Sequence, residues 1–171
     1  ETARRVKEKL SRLIAGGAAS PDSRVLFVND GSRDSTWEII CKLHEEDPLF
    51  LGVSLSRNRG HQNALLAGLM TAMGRCDLSI SMDADLQDDI EALDAFLARY
   101  QGGGGVVYGV RSSRASDTVF KRETAGLFYK LMRWMGTPVV DNHADYRLMS
   151  ARAMEALSQF EEVNLFLRGI V

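Results

Sequence analysis

Short apolar runs alternate with longer helical patterns along most of this chain, and no other feature of the sequence restricts its fold as strongly. The predicted strands are residues 25–28, 49–55, 78–82 and 106–110, and the predicted helices are residues 1–15, 37–46, 64–74 and 90–100. Strands that alternate with helices of ten or more residues are typical of βαβ units, in which the strands are parallel. The alternation predicts an α/β fold with a mainly parallel sheet.

Beyond residue 111 the pattern changes. Residues 118–135 are predicted to form a long helix, residues 141–149 an irregular segment or a strand, and residues 151–157 a short helix. No linker-like composition divides the 171 residues, so a single domain, residues 1–171, is expected. Because the chain starts inside a helical pattern and stops after an apolar segment, we expect this domain to be truncated at both ends.

Composition excludes several classes of protein. The net charge of −2 does not favour a nucleic-acid partner, which usually requires a strongly basic face. Two cysteines, Cys41 and Cys76, provide neither a disulfide framework nor a zinc site, so a reducing compartment is expected. No apolar run approaches the roughly 18–20 residues that span a bilayer, and the first residues do not have the pattern of a signal peptide.

The third predicted strand ends in two carboxylates, Asp83 and Asp85, followed by Gln87. In open α/β sheets, ligands bind beyond the carboxyl ends of the strands. Two carboxylates and an amide oxygen suit a hard divalent cation that shares its shell with water and substrate phosphates. These residues predict a metal–diphosphate site, with a solvated acidic turn as the alternative. An EF-hand calcium loop is excluded, because Asp88 and Asp94 occupy the positions that require Gly and Glu.

The loop after the first predicted strand contains Asn29, Asp30, Gly31 and Ser32. A carboxylate at this place can accept hydrogen bonds from a base N–H group or from ribose hydroxyls. Glycine allows a tight turn or a close approach of the backbone to a ligand. The alternative is a turn followed by a helix N-cap, which explains Asp30 poorly because the cap does not need that residue.

The loop after the second predicted strand contains Arg57, Asn58, Gly60 and His61. Guanidinium groups suit phosphate or base contacts, and a glycine at the start of a helix lets an anion approach the backbone. His61 by itself is more typical of a capping or surface residue than of a catalyst.

Basic residues follow the fourth predicted strand. They either form a solvated face or converge on the cleft as a receptor for a second anionic substrate, and they are Arg111, Arg114, Lys121 and Arg122. Further along the chain, Asp145 lies either near the reacting centre or only within an ion pair with Arg147.

Taken together, these segments resemble the family 2 glycosyltransferases of the GT-A fold, and within them the branch that glycosylates polyprenyl phosphates. The matching segments cover nearly the whole chain in the order of the family, and they are Val28-Asn-Asp-Gly-Ser-Arg-Asp34, Ser56-Arg-Asn-Arg-Gly-His-Gln62, Asp83-Ala-Asp-Leu-Gln87, Tyr108-Gly-Val-Arg111 and Asp145-Tyr-Arg-Leu-Met149. The resemblance implies a Rossmann-like, three-layer sandwich whose first strand is missing from this chain. Two further departures are Asn29, where the family usually has Asp, and Asp88-Asp89, where it often has a turn with Pro.

The resemblance also implies a role for each matching residue. The nucleotide would be bound by Asn29, Asp30, Ser32, Arg57, Asn58, Gly60 and Asp83. Mg²⁺ or Mn²⁺ would be held by Asp83, Asp85 and Gln87, and Asp85 and Asp145 are the expected catalytic residues. The acceptor phosphate would be bound by Arg111, Arg114, Lys121, Arg122 and Arg147.

The implied activity is metal-dependent, inverting transfer of a sugar from a nucleoside diphosphate, with UDP favoured over GDP, to a polyprenyl phosphate of the cell envelope. The full-length protein is expected at the cytoplasmic face of the membrane, attached through segments outside this soluble fragment, and homo-oligomerisation is left open. One rival is a receiver-type phosphoacceptor domain, although this chain has no Lys after the strand of residues 106–110. A second rival is an inactive nucleotide-binding scaffold.

Overall fold

The computed structural model describes residues 1–110 and 143–160, and for residues 110 and 143–145 it describes the backbone only. Five strands are present in this part of the chain: β1 (Val25–Asn29), β2 (Phe50–Ser54), β3 (Leu78–Ser81), β4 (Val106–Val110) and β5 (His143–Ser150). The helices are α1 (Thr2–Ala15), α2 (Thr36–Glu46), α3 (His61–Ala72), α4 (Leu93–Gln101) and α5 (Ala151–Ser158), and a 3₁₀ helix (Ile90–Ala92) precedes α4.

The strands form two groups. β1 and β2 are parallel, in a register that pairs Val25 with Phe50 and Asn29 with Ser54. β5 lies between β3 and β4 and is antiparallel to both, so β3 and β4 run in the same direction. The carboxyl ends of β1 and β2 therefore lie side by side, and those of β3 and β4 lie at the same edge of their sheet on either side of β5.

β5 is covered by helices on both faces. Successive strand residues point to opposite faces, and Leu148 and Met149, at 0% and 1% exposed, belong to different apolar clusters. Leu148 packs with residues of α1 and α4, whereas Met149 packs with residues of α3 and α5. This part of the protein therefore has three layers, with the sheet in the middle.

The predicted α/β class is confirmed, and the strand predictions agree with the observed bounds to within one residue or so. The sequence did not predict that β5 is antiparallel and central, because hydrophobic periodicity contains no information about strand direction. α3 also begins a turn earlier than expected, at His61 directly after Gly60. The predicted helix of residues 118–135 lies outside the described residues.

α1 packs against the 3₁₀ helix and α4 through a lysine as well as through apolar residues. The Lys9 side chain is 3% exposed, and its Nζ donates to carboxylate oxygens of Glu91 at 2.8 Å and Asp94 at 2.5 Å. The Arg12 guanidinium donates to the other Glu91 oxygen at 2.7 Å. A buried charge is costly unless it is paired, and these carboxylates provide the pair.

No helix in residues 1–110 and 143–160 is both long enough and apolar enough to cross a membrane.

The contact between α1 and the 3₁₀ helix is expected to weaken in acid. Hydrogen bonds from Lys9 and Arg12 hold the pKa of Glu91 below its usual value. Glu91 therefore contributes stability above the unfolded-state pKa of about 4.3, and this contribution is lost as the pH falls through the lowered folded-state pKa. Denaturant unfolding between pH 7 and pH 3 should show a destabilisation by Glu91→Gln that is constant down to about pH 5 and then disappears.

Glu45→Gln, at an exposed position on α2, is the matched control and should show no such loss in acid. A pH-independent effect of Glu91→Gln would contradict the assigned ion pairs.

Candidate functional site

Three loops follow the carboxyl ends of β1, β2 and β3. The first loop, residues 30–35, follows β1; the second loop, residues 55–60, follows β2; and the acidic loop, residues 82–89, follows β3. Since β1 and β2 are parallel, the first two loops meet at one edge of the sheet. This edge is where open α/β sheets bind ligands.

Asp30 joins the first loop to the second. Its Oδ1 accepts a hydrogen bond from the backbone N–H of Arg59 at 2.7 Å, and its Oδ2 accepts one from the N–H of Gly60 at 2.9 Å. Both carboxylate oxygens therefore help to fix the backbone that leads into α3. Bonds from an N–H group to a carboxylate are among the stronger hydrogen bonds in proteins. The predicted nucleotide contact of Asp30 stays a prediction, and it would use lone pairs that remain on these oxygens.

Gly31 permits the same two loops to touch. Its φ is +66°, and a Cβ atom at this position would lie 2.5 Å from the backbone carbonyl carbon of Arg57 and 2.6 Å from the nitrogen of Asn58. Only glycine satisfies both the backbone conformation and the close approach. The glycine that the sequence assigned to a tight turn therefore also serves loop–loop packing.

Asn29 holds the start of the first loop through two side-chain hydrogen bonds. It is 3% exposed, its amide nitrogen donates to the Ser54 hydroxyl at 2.9 Å, and its Oδ1 accepts from the Ser32 backbone N–H at 3.1 Å. These contacts explain why an amide is suitable where the family usually has a carboxylate: an amide can donate to Ser54 while it accepts from Ser32. The predicted nucleotide contacts of Asn29 and Ser32 are not tested by this geometry.

The acidic loop is held by hydrogen bonds from its backbone N–H groups to its own carboxylates. Asp85 Oδ1 accepts from the Gln87 backbone N–H at 3.0 Å, and the 7%-exposed Asp88 accepts from the N–H of Asp83 at 3.3 Å. Leu86 between them has a φ of +62°, an uncommon conformation for a residue with a side chain. Strain of this kind persists only where the surroundings fix the backbone, and it is concentrated at functional sites.

His61 connects the second loop to the acidic loop. As the first residue of α3, it places its Nδ1 atom 3.9 Å from Asp83 Oδ1, and the two side chains are 53% and 40% exposed. The positive end of the α3 dipole therefore points towards the same acidic edge, where it favours negative charge. Arg57 and Asn58 lie exposed in the adjoining loop.

Arg147 and Asp145 are on β5. Ser81 pairs with Arg147, so two residues further in this register the backbones of Asp83 and Asp145 reach the same edge of the sheet. Arg147 is 1% exposed, and its predicted contact with an acceptor phosphate stays a prediction. Burial raises the pKa of the Tyr108 hydroxyl, an effect that the positive charge of Arg147 only partly offsets.

The register between β4 and β5 is interrupted beside Asp145. Tyr108 pairs with Arg147 but Val110 pairs with His143, so β5 has two residues more than β4 over this interval. Such bulges are frequent next to active sites, because they redirect the side chains of the bulged strand.

Tyr146 and Asp89 support the acidic loop, and the sequence analysis missed both. The Tyr146 hydroxyl donates to the backbone carbonyl of Asp89 at 2.9 Å, and burial, together with the nearby charges of Asp88 and Asp89, raises its pKa well above the usual value. Tyr146 therefore remains a hydrogen-bond donor at physiological pH. Asp89 caps the 3₁₀ helix by accepting from the Glu91 N–H at 3.0 Å, a role that an acidic residue just before a helix could have indicated.

The acidic loop fits a divalent cation that is bound together with a diphosphate. Within residues 1–110 and 143–160, no group of three or more His, Cys, Asp and Glu side chains is arranged to hold a metal ion by itself. Mg²⁺ is commonly held by one or two carboxylates and completes its octahedral shell with substrate phosphates and water. Asp83 and Asp85 provide such carboxylates next to the exposed amide of Gln87. The Mg²⁺ or Mn²⁺ site stays a prediction.

Four of the predicted acceptor-phosphate residues lie outside the described residues, and they are Arg111, Arg114, Lys121 and Arg122. The side chain of Asp145 is likewise outside the description.

Comparison with known proteins decides which family contains these three loops. The sequence pattern of "Glycosyl transferase family 2" matches residues 2–158, which is most of the chain. The chain belongs to glycosyl transferase family 2. This membership confirms the resemblance given by the loop motifs and sets aside the receiver-type alternative.

Relatives of this family 2 domain include a bactoprenol glucosyl transferase. The present chain is similar to an uncharacterized glycosyltransferase, YkoT, of Bacillus subtilis. The two are 48% identical over 171 residues, which is all of this chain and 51% of the relative. The chain is 43% identical over 148 residues to the bactoprenol glucosyl transferase of Shigella phage SfV, covering 86% of this chain and 48% of the relative. The chain thus spans about half the length of these relatives.

Gly31→Ala is expected to separate the first two loops. Two glycines with positive φ provide a matched pair, because a Cβ at Gly17, φ +73°, meets nothing within 4 Å. Gly17→Ala should lower the free energy of unfolding by about 1–2 kcal/mol, the cost of a left-handed backbone. Gly31→Ala should cost about 1–3 kcal/mol more, because it adds a steric clash. Denaturant unfolding of both variants measures the difference, and equal losses would contradict the loop–loop contact.

Proposed function

We propose that this family 2 domain transfers a sugar, glucose by analogy with its named relatives, from a nucleoside diphosphate to a polyprenyl phosphate, with inversion at the anomeric carbon. The observation that carries the proposal is the contact between the three polar loops, in which Asp30 accepts hydrogen bonds from the second loop and His61 lies beside Asp83 of the acidic loop. The names of the bactoprenol glucosyl transferases support a polyprenyl-phosphate acceptor. Reaction with a membrane lipid would place the full-length protein at the cytoplasmic membrane face.

The donor would lie across the three loops. The base and ribose would meet the first loop, and the diphosphate would lie between the start of α3 and the acidic loop. Backbone N–H groups at a helix N-terminus, together with the Arg57 guanidinium, favour the phosphate charges. Asp83 and Asp85 would hold the divalent cation, which when bound supplies stabilisation of charge on the leaving diphosphate.

The acceptor requires little activation. A phosphate monoester has a second pKa of about 6 and is largely dianionic at neutral pH, so it is already a nucleophile. The chain must then orient this anion in line with the departing diphosphate, close enough to react. Asp145, whose backbone reaches the sheet edge beside Asp83, would orient the reactants or stabilise the developing positive charge on the sugar ring rather than remove a proton.

Calorimetric titration of UDP and GDP, with and without Mn²⁺, tests the donor site in the full-length protein. We expect UDP to bind in a Mn²⁺-dependent manner. Asp85→Ala should weaken that binding by about a hundredfold or more, because even second-shell mutations at metal sites cost about 10–100-fold. Asp22→Ala, in the exposed turn before β1, is the matched control and should bind as the wild type does. Failure to bind either nucleotide would contradict the donor site, whereas nucleotide binding without sugar transfer would favour the inactive nucleotide-binding scaffold.

Replacement of Asp145 separates orientation from proton abstraction. Because the acceptor phosphate needs no general base, Asp145→Asn should lower kcat by about tenfold or less, corresponding to about 1.4 kcal/mol of transition-state stabilisation. Asp85→Ala should lower it by about 10²–10³-fold, as expected when charge stabilisation of the leaving group is lost. Sugar transfer from UDP-glucose to polyprenyl phosphate in membranes measures both rates. A loss in Asp145→Asn as large as that in Asp85→Ala would contradict this division of roles.

A further inference from the structure

One face of α1 combines polar and apolar residues. Thr2, Val6, Lys9 and Leu13 follow each other at helical spacings of four, three and four residues, so they lie along one stripe. Lys9 and Leu13 are 3% and 7% exposed, and Val6 packs against the same apolar cluster as Leu13. Lys9 is buried and Thr2 is half-buried, and both side chains carry hydrogen-bond donors, so their partners indicate what the stripe does.

One partner of this stripe lies near the start of the acidic loop, and the other lies just beyond its end. The Thr2 hydroxyl donates to the backbone carbonyl of Ala84 at 2.7 Å, and Ala84 stands between Asp83 and Asp85. Seven residues further along α1, Lys9 binds Glu91, directly beyond the end of the acidic loop. A single rigid helix thus fixes the chain at residue 84 and at residue 91.

The segment between these two anchors needs such support. It contains the positive φ of Leu86 and the turn in which Asp85 accepts from the Gln87 N–H. A strained backbone is retained when the surrounding contacts determine it more strongly than its local preference does. The Thr2 bond acts on the peptide unit between Ala84 and Asp85, one of the two that connect the predicted metal-binding residues Asp83 and Asp85.

We propose that α1 is a brace for the acidic loop and that Thr2 is a positioning residue for the metal–diphosphate site. Thr2 fixes the Ala84 carbonyl and thereby the relative placement of the Asp83 and Asp85 carboxylates, although it touches neither carboxylate. The loop is preorganised for the cation before any ligand arrives. This inference rests on the proposed function only for the identity of the ligand.

Three variants isolate the Thr2 hydroxyl. Thr2→Val removes the hydroxyl and keeps the branched shape, and Thr2→Ser keeps the hydroxyl. Thr71→Val is the matched control, because the Thr71 hydroxyl bonds within α3 to the Ala67 carbonyl and lies away from the acidic loop. Amide hydrogen exchange of residues 84–89 in the metal-free, full-length protein then reports the order of the loop directly.

In Thr2→Val, exchange of these amides should accelerate by about three- to tenfold, the effect of losing one hydrogen bond. Thr2→Ser should restore the wild-type rate, and Thr71→Val should not change it. Unchanged exchange in Thr2→Val, or an equal acceleration in Thr71→Val, would overturn the brace.

The Mn²⁺ dependence of nucleotide binding distinguishes a positioning role of Thr2 from a general effect on the stability of the protein. In Thr2→Val the Mn²⁺ concentration for half-maximal nucleotide binding should rise by about three- to tenfold. At saturating Mn²⁺, nucleotide affinity should return to the wild-type level, because the ion itself orders the loop. Weakened binding that saturating Mn²⁺ does not restore would overturn the positioning role. If the wild-type protein binds no nucleoside diphosphate, the proposed function fails, and the amide exchange of the metal-free protein still decides whether α1 braces the loop.

Discussion

The position of β5 between β3 and β4 is the constraint on which the candidate site depends. Burial of Leu148 and Met149 on opposite faces of this strand joins the two helix layers, and each fully buried side chain of this size contributes about 1.5–3 kcal/mol. The same strand brings the backbone of Asp145 to the level of Asp83 and presents the Tyr146 hydroxyl to the acidic loop. The packing that stabilises the core therefore also positions the backbone of Asp145 relative to the acidic loop.

The polar loops are held by hydrogen bonds as well as by the apolar contacts of Met82 and Leu86 with the core. Asp30 accepts from the second loop, Asn29 from within the first, and Asp88 from within the acidic loop, each from a backbone N–H group. Side-chain oxygens used in this way keep a loop in place while it stays open to solvent. The arrangement suits a site that must admit a charged donor and release a charged product, because the N-terminus of α3, where a helix dipole favours negative charge, begins beside the acidic loop.

Much of this structure can be predicted from the sequence. Hydrophobic periodicity located the strands and most helix bounds, and the loop motifs located the family, because both depend on local residue patterns. The direction of β5 could not be predicted, since hydrophobic periodicity contains no information about strand direction. Neither could the burial of Lys9, because a charged side chain is expected to be solvated until its acidic partners in another element are known. The contact between Thr2 and Ala84 likewise joins residues that are far apart in sequence and carry no mutual signal.

If the three loops form one donor site, Asp83 and Asp85 hold a cation against the diphosphate of the donor. A crystal structure of the full-length protein with UDP and Mn²⁺, with the ion located by its anomalous scattering, tests this arrangement. We expect a Mn²⁺ peak about 2.0–2.3 Å from a carboxylate oxygen of Asp83 or Asp85 and from the diphosphate, the range for oxygen ligands of a small divalent cation. We also expect the uracil to lie against the first loop. A nucleotide bound away from this sheet edge, or an ion with no ligand from the acidic loop, would contradict it.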